Sequence, residues 1–237
     1  MPNPLHILGC DLIERQWDAG NGQLYVRDLG LTVVDRVLAN DLLGRKTCYG
    51  SLLVANDNPH SVLVPTRGTK TGPEWASDLR ARLRPSKFSP GKVEAGWGDI
   101  FDTFYLESGR PMAAAILSFA ESVIFGHSLG GPLATYFAAA TLASELVCYA
   151  SPKPGDADFA AWVRSRVKVR TFYADAPDFI WKTPPTIQDP LDEFNFQHID
   201  APLVLDPSRA TPPIQMPIND PFGPHHITTY RELLAAA

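Results

Sequence analysis

A mostly parallel, doubly wound α/β sheet with helices on both faces is the fold this sequence predicts, and two observations predict it. Short β-branched and aromatic runs alternate with amphipathic or alanine-rich stretches along most of the chain, the pattern of strands joined by helical crossovers. One such run, Val123-Ile124-Phe125, stops at Gly126-His127-Ser128-Leu129-Gly130 and passes at once into the helical stretch GPLATYFAA.

Taken in order, the first 45 residues read as loops around a helical pattern at Leu31 to Leu43. Tyr49 to Ala55 and Ser61 to Pro65 read as strands, joined by a turn at Asn56-Asp57-Asn58-Pro59. Trp75 to Leu83, Asp99 to Glu107 and Pro111 to Ala120 have helical periodicity, the last opened by a proline where a helix tolerates one. After the central strand and its helix come a strand at Glu145 to Ala150 and a helix at Asp156 to Arg166. Asp156 and Asp158 are placed to favour that helix's dipole. A strand follows at Lys168 to Ala174, and a helix at Ile227 to Ala235 closes the chain. The stretch Pro184 to Pro224 holds ten of the 22 prolines and little periodicity. It reads as a surface excursion or as a wall over a site.

Composition narrows the class. The 237 residues suit one large α/β domain, and we expect a single domain over 1–237 with its proline-rich excursion at 184–224. A net charge of −5 gives no basic footprint for nucleic acid. Cys10, Cys48 and Cys148 are widely spaced, form no metal motif and suggest no disulfide framework. Cys148, inside the apolar run LVCYA, reads as a free buried thiol. The opening residues carry no basic segment ahead of an apolar core, and no run is long enough to span a membrane. The expectation is a cytoplasmic protein; a secreted one whose leader had been removed would read the same.

The chemistry centres on Ser128. Glycines at 126 and 130 permit a turn too tight for side chains, which lifts the serine hydroxyl above the sheet and aims a helix N-terminus at it. This strand–turn–helix is the nucleophile elbow of acyl transfer. A serine is a weak nucleophile alone, so it needs a histidine to take its proton and a carboxylate to orient that histidine. In the α/β-hydrolase class these follow in the order serine, acid, histidine. The histidines after Ser128 are His198, His225 and His226. His198 lies in the alternating stretch EFNFQHID and reads as structural, whereas His225 and His226 stand in a loop just before the last helix. Asp175 and Asp178 both follow the strand KVRTFYA, at the sheet edge where catalytic groups collect. His127, next to the nucleophile, reads as a residue that points away and packs or hydrogen-bonds locally.

The oxyanion of the tetrahedral intermediate also needs donors. One is the backbone N–H of Leu129. The best source of a second is the loop Arg67-Gly68-Thr69, where Thr69 offers an N–H and a hydroxyl. The bland reading of that loop is a turn with an exposed arginine.

With these residues in place the chain resembles the class 3, or fungal-type, lipase family of α/β-hydrolases. The likeness is carried by RGTKTGPEWASDL (Arg67 to Leu79), VEAGWGDIFDTFY (Val93 to Tyr105), GHSLGGPLAT and YASPKPGDADFA (Tyr149 to Ala160). It continues in an aspartate, Asp178, six residues before Pro184-Pro185, and in a histidine shortly before Tyr230. The resemblance implies Ser128, Asp178 and His225 as the catalytic triad, His225 being preferred for its five-residue spacing to Tyr230, with His226 in reserve. It implies Thr69 and Leu129 as the oxyanion hole, and a lid within Lys70 to Arg84. Pro177 stands where the family often has Asn or Asp, which keeps Asp175 as a second candidate acid.

The resulting expectation is a serine carboxylester hydrolase, a lipase or esterase working through an acyl-enzyme on Ser128 with no cofactor and no metal. Its partner is a small-molecule or lipid ester. An acyltransferase, a phospholipase A1 or a feruloyl esterase on the same site, or a non-catalytic binding protein of the same fold, are the alternatives. The lid segment has few large apolar residues beyond Trp75, Leu79 and Leu83, which favours an esterase that needs no lipid interface. Arg80, Arg82, Arg84 and Lys87 make its far end basic: a solvated face, or a transient contact with anionic lipid surfaces.

Overall fold

The structure, a computed structural model, describes residues 3–41, 43–68, 82–174, 180–184, 193–206 and 225–236. Among these residues one sheet of eight strands dominates: β1 (Leu31–Asn40), β2 (Lys46–Ala55), β3 (Ser61–Thr66), β6 (Tyr105–Leu106), β7 (Glu121–His127), β8 (Glu145–Tyr149), β9 (Lys168–Ala174) and β10 (Leu203–Leu205). Their order is β10-β9-β8-β7-β3-β2-β1-β6. The strands from β3 through β10 in that order pair in parallel, while β2 and β6 run against the rest. A small hairpin, β4 (Leu83–Pro85) with β5 (Lys92–Glu94), stands apart from the sheet.

Helices cover both faces. On one face lie α2 (Ala95–Phe101), α3 (Met112–Leu117), α4 (Gly130–Thr141) and α5 (Ala157–Arg164); on the other lie α1 (Pro4–Ala19) and α6 (Ile227–Ala236). The central strand β7 shows why. Ile124 joins the core under α4, while Val123 and Phe125 join the core under α1 and α6. Both Ile124 and Phe125 are fully buried, and each such side chain contributes about 1.5–3 kcal/mol. The two terminal helices pack on each other, with Arg231 of α6 donating to Asp11 and Glu14 of α1 at 2.8 Å each.

The carboxyl ends of β3 and β7 are neighbours in the middle of the sheet. Ligands and catalytic groups collect at that edge of parallel α/β sheets.

Several sequence expectations need correction. Leu31 to Leu43 is not helical; Leu31–Asn40 is a strand. A bulge at Val34 explains the misreading. Val33 pairs with Leu53 and Asp35 with Leu52, leaving Val34 as the extra residue. Leu31 and Val33 therefore face one core, and Val37 and Ala39 the other. No single two-residue period survives, and the apolar spacing 31, 34, 37, 38 imitates a helix.

The helix α1 lies where loops were expected. Its Asn3 side chain accepts from His6 N in a capping box, and Pro4 opens the first turn. Its buried face carries His6, Gly9 and Gln16 among the apolar residues, so its hydrophobic signal is weak. Gly9 is required: a Cβ there would run into the Phe125 ring and lie 2.6 Å from the Tyr149 hydroxyl.

The helix expected at Asp99 to Glu107 starts and ends earlier, at Ala95–Phe101, because the Glu94 side chain caps Trp97 N at 2.8 Å. The chain then enters β6. The helix expected at Pro111 to Ala120 is shorter, Met112–Leu117. Of the helix expected at Trp75 to Leu83, Leu83 begins β4, and 75–81 lies outside the described residues. The strands Lys168–Ala174 and Glu145–Tyr149 and the capping by Asp156 match expectation. The proline-rich stretch supplies β10 and the bridge of Gln197 to Gly155; 185–192 and 207–224 lie outside the described residues.

Candidate active site

The turn after β7 has the geometry that its glycines predict. Ser128 sits at φ 55°, in the left-handed region, a conformation that costs a non-glycine residue about 1–2 kcal/mol. The turn is locked from both ends. Ser128 N donates to Tyr149 O at 3.0 Å, continuing the ladder to β8, and Gly131 N donates to Ser128 O at 2.8 Å. A Cβ on Gly126 would meet Gly130 O and Ala134 Cβ at 2.6 Å, and one on Gly130 would meet Thr66 O at 2.5 Å. The two flanking glycines are thus required by close approach of backbone to backbone.

The loop after β3 rests directly on this turn. A Cβ on Gly68 would lie 3.0 Å from Gly130 N and 3.5 Å from Leu129 N. Arg67 is not an exposed residue of a simple turn: it is 5% exposed. Its Nε donates to Cys48 O at 2.7 Å, its backbone N donates to Tyr49 O at 2.8 Å, and its guanidinium lies 5.9 Å from the centre of the Tyr49 ring. The loop is tied to β2 behind it and pressed against the N-terminus of α4 in front. Leu129 stands at the N-cap of α4, where backbone N–H groups lack intrahelical acceptors. Thr69, the next residue of this loop, lies outside the described residues.

From the far end of the chain, His225 reaches Ser128. Its Nε2 lies 2.7 Å from Ser128 Oγ. With the ring proton on Nδ1, the hydroxyl donates to Nε2, the arrangement in which a histidine can accept the serine proton. His226 is exposed, and its carbonyl accepts from Thr229 N at 3.0 Å in the first turn of α6. Of the two neighbouring histidines, His225 is therefore the one brought to the elbow. Asp178 and Asp175, which follow β9 in sequence, lie outside the described residues.

Two residues around the site carry more than the sequence suggested. His127 packs against His225 and Tyr230 and also reaches far along the chain. Its Nε2 lies 2.6 Å from the carbonyl oxygen of His225, and the two imidazole rings are 4.9 Å apart. Tyr230 is fully buried, and its hydroxyl accepts from Ala174 N at 3.0 Å, the last residue of β9. It joins the helix behind His225 to the end of the strand that Asp175 and Asp178 follow in sequence, which gives a physical reason for a tyrosine at that spacing.

The remaining candidates are structural. His198 Nδ1 lies 2.8 Å from the Tyr173 hydroxyl, and burial, with the charge of Lys153 adding to it, lowers its pKa to about 4. The Cys148 thiol is free and buried, pushed up to about 12 by desolvation, so it stays protonated and inert. Among the described residues no cluster of His, Cys, Asp and Glu could hold a metal ion, and no helix is long and apolar enough to cross a membrane. The basic end expected after residue 80 is partly neutralised. Arg84 pairs with Asp102 at 2.8 Å and Asp99 at 3.2 Å, and Lys87 pairs with Asp102 at 2.6 Å.

A serine held at the apex of a strained strand–helix turn, met by a late histidine at the carboxyl edge of a mostly parallel sheet, defines an α/β-hydrolase. The chain belongs to the class 3 lipase family, whose description matches residues 63–187, more than half its length. It is a carboxylic ester hydrolase of that family. Solved fungal lipases share the fold. The triacylglyceride lipase of Rhizomucor miehei is 19% identical, with 87% of this chain and 79% of that one covered at a TM-score of 0.60. The mono- and diacylglycerol lipase of Aspergillus oryzae is 20% identical, with 84% and 76% covered at a TM-score of 0.60. No curated protein matches the sequence.

Proposed function

We propose that this hydrolase works through an acyl-enzyme on Ser128, with His225 as its base. The observation that carries the reading is the 2.7 Å approach of His225 Nε2 to Ser128 Oγ across 97 positions of sequence. Ser128 Oγ attacks the ester carbonyl as its proton passes to His225 Nε2. The tetrahedral oxyanion is held by Leu129 N–H and by Thr69. Collapse expels the alcohol, which takes the proton from His225. Water then enters, gives a proton to His225 and bonds to the acyl carbon; collapse breaks the bond to Ser128 Oγ, which takes the proton back from His225 as the acid leaves. Asp178 orients His225 and stabilises its imidazolium. The seating of Gly68 against Leu129 supports Thr69 as the second donor, because Thr69 follows it directly. The position of β9, whose end is tied to the helix that follows His225, supports an acid from the residues after that strand.

The substrate we infer is a small-molecule or lipid ester. The sparse apolar content of 70–84 supports an esterase that acts on dissolved esters without waiting for an interface. The ion pairs of Arg84 and Lys87 argue against a strong anionic-lipid contact at that end. The packing of α6 on α1 supports one domain over residues 1–237. Three unpaired, buried cysteines support a cytoplasmic setting. The test of the chemistry is replacement of either partner. Ser128→Ala and His225→Ala should each lower kcat on a p-nitrophenyl ester by on the order of 10³-fold or more, with the fold intact. Wild-type turnover in Ser128→Ala would remove the reading. The test of the substrate is the rate below and above the solubility limit of a medium-chain ester. A smooth saturation curve is expected, and a jump at emulsion formation contradicts it.

A further inference from the structure

We propose that His127 is a positioning residue for ester hydrolysis: its Nε2–H holds the backbone carbonyl of His225 and so keeps the imidazole within reach of Ser128. The inference rests on the reading of Ser128 and His225 as nucleophile and base.

The geometry is a two-point hold. His127 and Ser128 are adjacent at the end of β7, and both touch His225. The His127 side chain takes the His225 backbone at 2.6 Å, and the Ser128 side chain meets its imidazole at 2.7 Å. A carbonyl oxygen only accepts, so His127 must carry its proton on Nε2. His225 needs the opposite tautomer, with Nε2 bare toward the serine. The two rings lie 4.9 Å apart at 35°, and Tyr230 closes the other side with its ring 6.0 Å from that of His127 at 61°. His127 stands on a strand fixed by β3 and β8, its own position pairing with Tyr149. It is therefore a rigid post. His225 stands two residues before α6. Downstream, α6 is tied to Ala174 by Tyr230 and to α1 by Arg231. His127 supplies an attachment on the residue itself. Loss of a hold that fixes a base to within an ångström costs up to about 10²-fold in rate.

Three variants separate this role from packing. Glutamine places an amide nitrogen at the reach of imidazole Nε2; asparagine stops at the reach of Nδ1; leucine offers no donor. On p-nitrophenyl butyrate, His127→Leu and His127→Asn should lose on the order of 10- to 100-fold in kcat with KM within about twofold, and His127→Gln should recover most of that loss. Ser128→Ala and His225→Ala run beside them. If those two keep wild-type activity, the reading of the triad fails. If they are inactive while folded His127→Leu keeps wild-type kcat, only the role of His127 fails. Equal losses in all three His127 variants that track their melting temperatures also overturn it. A measurement on the unaltered protein needs no variant. Imidazole ¹⁵N NMR should show His127 protonated at Nε2, and a His127 protonated at Nδ1 alone contradicts the proposal.

Discussion

Ser128 is held in a conformation that most residues avoid, and that strain is local to the reacting atom. Its φ of 55° and the hydrogen bonds on both sides of it leave the hydroxyl no other direction. Glycine adopts this conformation freely, so Ser128→Gly should melt no lower than the wild type while losing all hydrolysis. A fall of several degrees in melting temperature would show that the turn is not strained. The serine and its glycines were legible in the sequence because the turn dictates them chemically. His225 was preferred over His226 on the spacing to Tyr230, and the structure brings His225 to the elbow at 2.7 Å. The packing of His127 was legible, but not its partner: a backbone carbonyl 98 positions away leaves no trace in side-chain type.

Among the elements, the strand β9 and the helix α6 bear most on the site. Tyr230 links them through one buried hydrogen bond to Ala174 N. Tyr230→Phe keeps the ring and removes that acceptor, leaving a buried N–H unsatisfied at a cost of about 1–3 kcal/mol. We expect denaturant unfolding to report that loss and kcat to fall with it; an unchanged midpoint would show the link to be idle. At the other element boundary, a Cβ at Gly130 would drive into the backbone of Thr66 and Arg67. Gly130→Ala should therefore part the loop after β3 from the elbow. A loss of about 1–3 kcal/mol and of most activity is expected, and a structure of this variant with Gly68 still seated on Leu129 would contradict it. Elements with an unbroken period were read well: β8 and β9 alternate between the two cores, and α5 buries one stripe. Those whose period is broken were not: Val34 bulges out of β1, and α1 hides its face behind His6, Gly9 and Gln16.

For the molecule as a whole, the sheet supplies the platform and the termini close it. The same burial sets a pH dependence. His198 has a pKa lowered from 6.5 to about 4 by desolvation, and burial lowers that of His6 as well. The unfolded chain takes up these protons near the ordinary histidine range, ahead of the folded protein. Stability from His198 is therefore full above pH 6.5 and falls as pH drops toward 4, by on the order of 2 kcal/mol. Urea unfolding at a series of pH values should show that slope, and His198→Gln should flatten it; an equal slope in both proteins would remove His198 as its source. The fold class was readable because strand and helix alternate through the centre of the chain. The outer strands β6 and β10 were not, being two and three residues long and defined by their neighbours alone. The central claim, that Ser128 and His225 act as nucleophile and base, is tested most directly by a serine-directed fluorophosphonate with peptide mapping. One adduct per chain is predicted, on Ser128, forming at least about 10²-fold more slowly in His225→Ala. An adduct on another residue, or undiminished labelling in His225→Ala, would contradict it.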